Sequence, residues 1–159
     1  MTFHSNKMDV IDRRQVEALM LGPMRRVFQN EIGIEKTNEI VRTVITKLAR
    51  EQGAQFAQDI GSNKLEDYAS NKDAWRTNGA LEIEVINSDN QEYSFNVTRF
   101  KCAEMYKKLG YPDPGEIISC TRDFEFCSGF NPGIKLQRTQ TIMEGTSHCD
   151  FRYSSKKSK

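Results

Sequence analysis

The chain has only two histidines, one tryptophan and four cysteines in 159 residues. No two cysteines are spaced C-x-x-C, and His148 directly abuts Cys149, so the ligand spacings of a structural zinc site are missing. No apolar run is long enough to span a bilayer, and the start, Met1 to Lys7, lacks the apolar core of a secretory signal. A cytoplasmic protein with four reduced thiols, no disulfide and no bound metal is therefore expected. Charge of one sign is also lacking. With 23 Lys+Arg against 22 Asp+Glu, the formal charge is +1, which leaves no electrostatic footprint for nucleic acid or an anionic membrane. There is no P-loop, no G-x-G-x-x-G, no G-x-S-x-G and no H-E-x-x-H, and no internal repeat. No cofactor is called for. The expected partner is a small-molecule substrate, with a homo-oligomer allowed.

What is present is enough for one domain. Hydrophobic residues make up 37% of the chain, and the mean hydropathy of -0.66 is on the polar side, but the apolar residues are strongly periodic. Residues 1–153 read as a single domain, and 154–159, Ser-Ser-Lys-Lys-Ser-Lys, as a disordered basic tail.

The first half has helical spacing. Val16, Leu19 and Met20 share a face, Gly22-Pro23 interrupts, and Pro23 suits the first turn of a new helix carrying Met24, Val27 and Phe28. Thr37 can cap a longer helix with Ile40, Val41, Val44, Ile45, Leu48, Phe56 and Ile60, stopped by Gly61. Leu65, Tyr68, Ala69 and Trp75 mark a shorter one. All of these apolar residues read as core. After Ala80 the period becomes two. Leu81–Ile86 and Tyr93–Val97 alternate around the turn 87–91 and predict a hairpin. A helix over 99–109 ends at Gly110, and 116–126 fits either period. Ile134–Glu144 and Cys149–Tyr153 read as a second antiparallel pair. The fold class is α+β, with the N-terminal helices packed on an antiparallel sheet.

The densest chemistry lies at the end of the chain. On the strand predicted over 134–144, Ile134, Leu136, Arg138, Gln140, Ile142 and Glu144 share one face. Arg138 there is either an edge arginine paired with a surface carboxylate or the bidentate clamp of an anionic ligand. Cys149 shares a strand face with Phe151 and Tyr153, opposite Asp150 and Arg152, which suits a small buried hydrophobe. Cys120 and Asp123 are three apart and meet on one face if that segment is helical. A carboxylate alone would discourage a thiolate, so a reactive Cys120 needs a cation such as Arg122, Arg138 or His148 nearby. Cys102 and Cys127 read as packing residues.

The runs 98–110, Ser119–Phe124, Gly129–Pro132, Arg138–Gly145 and Cys149–Tyr153, above all R-T-Q-T-I-M-x-G-x-x-x-C-D-F-R-Y, resemble the L-2-amino-thiazoline-4-carboxylic acid hydrolase family. More remotely, the glycine followed four residues later by Cys-x-Phe is similar to the ending of 4-vinyl-reductase-type ligand-binding domains. The resemblance implies helices against an antiparallel sheet, with a small-molecule pocket between them. It also implies a hydrolase that opens a cyclic isothiourea acid to N-carbamoyl-L-cysteine, the alternative being a non-catalytic small-molecule-binding domain. The matching positions offer Arg138 or Arg152 for the substrate carboxylate and Asp123 or Glu144 for its amidine-like nitrogens. Cys120 or Cys149 is the candidate nucleophile, and Thr141 and His148 are further substrate contacts. Cys120 is preferred as nucleophile and Cys149 as pocket wall; attack by water, with both cysteines merely lining the pocket, is the other route.

Overall fold

A computed structural model describes residues 10–71, 79–110 and 120–155. The element order is α1 (Val10–Ile32), α2 (Ile34–Ile60), α3 (Leu65–Ser70), β1 (Leu81–Ser88), β2 (Glu92–Phe100), α4 (Lys101–Lys108), α5 (Thr121–Phe130), β3 (Ile134–Gln137), a 3-10 turn (Ile142–Glu144) and β4 (Cys149–Ser155). Trp75, expected in the short third helix, lies outside the described residues.

The four strands form one antiparallel sheet in the order β1-β2-β4-β3. Its inner face comes from the period-two positions. Tyr93, Phe95 and Val97 of β2 stand opposite Tyr153, Phe151 and Cys149 of β4. The Phe95 and Phe151 rings stack at 5.0 Å, the kind of cross-strand aromatic pair that stabilises a sheet by up to about 1 kcal/mol. Register shifts in β1 near Ile83 and Asn87 leave Val85 and Ile86 exposed.

The core closes when Phe56, Ala57 and Ile60 of α2, Leu65 and Tyr68 of α3, and Phe126 and Phe130 of α5 pack onto that face. The sheet is thus covered by helices from both halves of the chain. The closest contact is between α2 and α5, through two glycines. A β-carbon at Gly53 would lie 2.1 Å from the Phe126 carbonyl oxygen, and one at Gly129 would lie 2.1 Å from that of Arg50. Only glycine lets two helix backbones come that near.

Several expectations change. Gly22-Pro23 does not divide α1, which runs through Pro23 to Ile32. The break falls at Gly33, whose φ of 86° turns the chain back, and α2 then starts at Ile34. Thr37 sits inside that helix, its hydroxyl donating to the Gly33 carbonyl. Gly61 does stop α2, in the left-handed conformation. The strand expected over 134–144 ends at Gln137, and β4 continues to Ser155, two residues into the segment read as a tail. Ile45, Phe56 and Ile60 join the protein interior as expected. Val16, Leu19, Met20, Met24, Val27, Phe28, Ile40, Val44 and Leu48 do not; they are exposed on the outer side of α1 and α2. Amphipathic spacing marks a face for burial without saying what covers it.

Candidate active site

A cavity of about 160 Å³ lies between the inner face of the sheet and the helices. It has room for on the order of five water molecules, small for a ligand site. Its wall carries Phe95, Val97, Phe100, Phe126 and Phe151, with four arginines, Arg13, Arg14, Arg122 and Arg138, and one carboxylate, Asp123. Three thiols, Cys102, Cys120 and Cys149, complete it.

α5 sets one end. It begins at Thr121, with Cys120 at its N-terminal boundary and Asp123 in its first turn, which puts the two on one side as the helical reading required. The positive end of the helix dipole favours negative charge there. Arg138, just beyond β3, turns inward. Its Nη1 donates to Asp123 Oδ2 at 2.7 Å and its Nη2 to the Cys120 carbonyl at 2.9 Å. The guanidinium sits 5.0 Å from the centre of the Phe124 ring and 5.1 Å from that of Phe151, both within cation–π range. Burial works against its charge, but Asp123 together with the neighbouring Cys120 and Cys149 outweighs that and its pKa is raised. Arg138 is thus a lining residue whose fork spans Asp123 and the Cys120 carbonyl.

Another end is built by α1 together with Arg122 of α5. Arg14 Nη1 lies 2.5 Å from Glu17 Oε2, and Arg122 Nη2 lies 3.6 Å from the same oxygen. Arg122 Nη1 also donates to Gln52 Oε1 at 2.8 Å. Arg122 is only 6% exposed. Burial first, and then the neighbouring Arg14, hold its pKa down to about 10, so it remains a cation at neutral pH.

Cys149 faces the cavity from β4, its sulfur accepting the Ile142 N–H at 3.2 Å. Burial pushes its thiol up, only partly offset by that bond and by Arg138, so it stays protonated at neutral pH. Thr141 and Glu144 form a capped turn. The Thr141 hydroxyl accepts the Glu144 N–H and donates to Glu144 Oε2, and Gly145 closes the turn at φ 90°. Both line a shallower depression that shares Cys120 and Arg138 with the cavity. His148 and Arg152 line neither. His148 meets Gln140 and Ser147, and Arg152 binds the Phe95 and Phe151 carbonyls and Asn96 across the sheet. Cys127 packs in the core against the Ile134 carbonyl.

Of the residues singled out in the sequence, Cys120, Arg122, Asp123, Arg138 and Cys149 therefore converge on one cavity. Cys102, read as a packing residue, also lines it, and Arg13, Arg14 and Gln52 were not singled out. α1 and α2 bring their polar members from far along the chain, and no local pattern marks them.

Asp150 holds the loop that aims Arg138. It accepts the Thr139 and Gln140 N–H groups and the Thr139 hydroxyl. Burial pushes its carboxyl up, but these bonds outweigh that and its pKa is lowered. A carboxyl lowered on folding stabilises above its ordinary pKa of about 4 and loses that contribution as pH falls through the folded value. Asp150→Asn should cost about 1–2 kcal/mol at neutral pH. The difference between the variant and the native protein should shrink on acidification. Denaturant midpoints at neutral and acid pH measure it, and a gap that stays constant would deny the charge a role.

Among the described residues, no group of three His, Cys, Asp or Glu is placed to hold a metal ion, and all four cysteines are buried and free. No helix among them is long and apolar enough to cross a membrane.

Comparison with known proteins adds a family and a fold. The family model for L-2-amino-thiazoline-4-carboxylic acid hydrolase matches residues 13–153. No curated protein matches the sequence. Among solved structures, a trafficking protein particle complex subunit 3 from Naegleria fowleri, covalently bound to palmitic acid, is similar with a TM-score of 0.52. It is 15% identical, over 91% of this chain and 96% of that one. The phenol-responsive sensory domain of the transcription activator PoxR, with phenol, has a TM-score of 0.50 and 12% identity, over 85% of this chain and 72% of that one. At these identities the likeness establishes a shared fold.

Proposed function

The chain belongs to the L-2-amino-thiazoline-4-carboxylic acid hydrolase family, and from that premise we propose that it hydrolyses a small cyclic amidine-like substrate bearing a carboxylate, such as L-2-amino-thiazoline-4-carboxylate. The observation that carries this reading is the meeting of a thiol, Cys120, with a carboxylate, Asp123, held by Arg138, in one cavity of about 160 Å³.

Asp123 accepts hydrogen bonds from the amidine nitrogens and makes their shared carbon electrophilic. The Cys120 sulfur adds to that carbon as its thiol proton passes to the ring nitrogen. The ring carbon–sulfur bond then breaks, and the departing sulfur takes a proton, for which the protonated Cys149 thiol is the nearby donor. Water adds to the enzyme-bound isothiouronium carbon, the Cys120 sulfur is expelled, and the two protons of the water restore the Cys149 and Cys120 thiols, leaving a urea, N-carbamoyl-L-cysteine. One water is consumed and nothing is oxidised or reduced. Arg138 positions Asp123, and the capped Thr141–Glu144 turn shapes the neighbouring depression.

The test is incubation with L-2-amino-thiazoline-4-carboxylate and detection of N-carbamoylcysteine; folded protein that yields none would sink the proposal. A binding domain without catalysis is favoured by one feature, the aromatic wall of Phe95, Phe100, Phe126 and Phe151. Thiol labelling separates the two: the enzyme should show one fast, pH-sensitive cysteine, the binder four slow ones.

A further inference from the structure

We propose that the substrate's carboxylate is bound by Arg122, with Arg14 beside it, at the α1 end of the cavity. This rests on the hydrolase reading above and names the half of the substrate that reading leaves unplaced. Among the described residues, the cavity wall sets four arginines against one lining carboxylate. Asp123 is matched to Arg138 at the α5 end. At the other end the Arg14 and Arg122 guanidiniums converge on one oxygen of Glu17. Neighbouring guanidiniums repel, which after burial is part of why the Arg122 pKa is lowered, and an anion between them relieves it. Tyr106, buried behind this end, lies close enough for its ionisation to feel Arg14 and Arg122. The two ends select a dipolar ligand, with amidine nitrogens toward Asp123 and carboxylate toward Arg122. The class is a small ring amino acid derivative, and its neutral amide should be rejected.

The experiment uses five-membered-ring carboxylic acids, including L-2-amino-thiazoline-4-carboxylate, and their carboxamides. Binding is followed by calorimetry and hydrolysis of the thiazoline acid in parallel. The native protein should prefer acid to amide by at least about tenfold, and Arg122→Gln should abolish that preference. Arg122→Lys, which keeps the charge but not the fork, should lose part of it and guards against misfolding of the glutamine variant. If the thiazoline acid is hydrolysed but both variants keep the native preference, this inference falls and the hydrolase stands. If acids bind through Arg122 but nothing is hydrolysed, the hydrolase falls and the anion site stands. Binding of no acid at all overturns the site.

A separate observation carries a second proposal. Eleven large apolar residues on α1 and α2 are exposed, Met20 at 64% being the extreme. Their exposed areas sum to on the order of 1,000 Å² per chain, comparable to one side of a standard interface of about 1,600 Å². We infer that a second copy of the chain covers this face. Ile40, Val44 and Leu48 fall on one stripe of α2. A two-fold axis at Val44 with the helices antiparallel sets Ile40 against Leu48 of the second copy and Val44 against Val44. It also brings Lys36, paired with Glu39 in its own chain, near Glu51 of that copy, so opposite charges face each other across the axis. Val16, Met20 and Val27 of α1 widen the contact. The native protein should have a dimeric mass by light scattering at micromolar concentration. Val44→Glu and Val44→Lys, each setting like charges together, should be folded monomers by circular dichroism, and mixing them should restore a dimer. A monomeric native protein, or a Val44→Glu variant that stays dimeric, would overturn the inference.

Discussion

Replacing Cys120 by serine should lower turnover of L-2-amino-thiazoline-4-carboxylate by about a thousandfold or more, with the fold intact. The substitution is nearly isosteric. The side chain is 5% exposed and caps no hydrogen bond of α5, so little stability is at stake. What is lost is the thiol nucleophile, which a serine hydroxyl, far less acidic and less nucleophilic, does not replace. Cys127→Ser is the matched control: its sulfur packs against Ile134 in the core, away from the cavity, and most activity should survive. Cys149→Ser should fall between the two, since a hydroxyl is a poorer proton donor than the thiol but fits the same place. Steady-state kinetics on the three variants decides. Small and equal losses would exclude a thiol nucleophile and make water activated by Asp123 the leading route, with Asp123→Asn the next variant to measure.

Gly129→Ala should be the most destabilising single methyl in the described structure, and Gly53→Ala should be close to it. Each β-carbon would lie 2.1 Å from a backbone carbonyl oxygen of the opposing helix. No rotamer change relieves a clash with backbone, so α2 and α5 must move apart and the packing of Phe56 against Phe126 and Phe130 must loosen with them. Overpacking of this kind costs about 3 kcal/mol or more, a large share of the total stability of a domain this size. A thermal midpoint lowered by roughly 10 °C or loss of soluble protein is expected. A midpoint within about 2 °C of the native value would mean that the two helices are not held so close. Activity should fall with stability, because α5 also carries Cys120 and Asp123.

Much of this molecule was legible along the chain. Alternation in Leu81–Ile86, Tyr93–Val97 and Cys149–Tyr153 determined three strands and which side of each would be inward, because a strand's side chains point to opposite faces by geometry alone. Gly61 determined where α2 stops, through its left-handed conformation, and the spacing of Cys120 and Asp123 determined that a helix would put them together. Local signals could not reach further. Arg138 read, from its strand alone, more readily as a surface ion pair than as a ligand clamp. Only the tertiary structure set it against Asp123, 15 residues away, with its fork engaged. Arg14 and Arg122 are 108 positions apart, and nothing short-range says that two cations will share one end of a cavity. The apolar stripes of α1 and α2 were read as core because periodicity reports that a helix has an apolar face. Whether the same chain or another molecule covers that face depends on where the helix lies in the assembled fold, and that is decided by packing rather than by pattern.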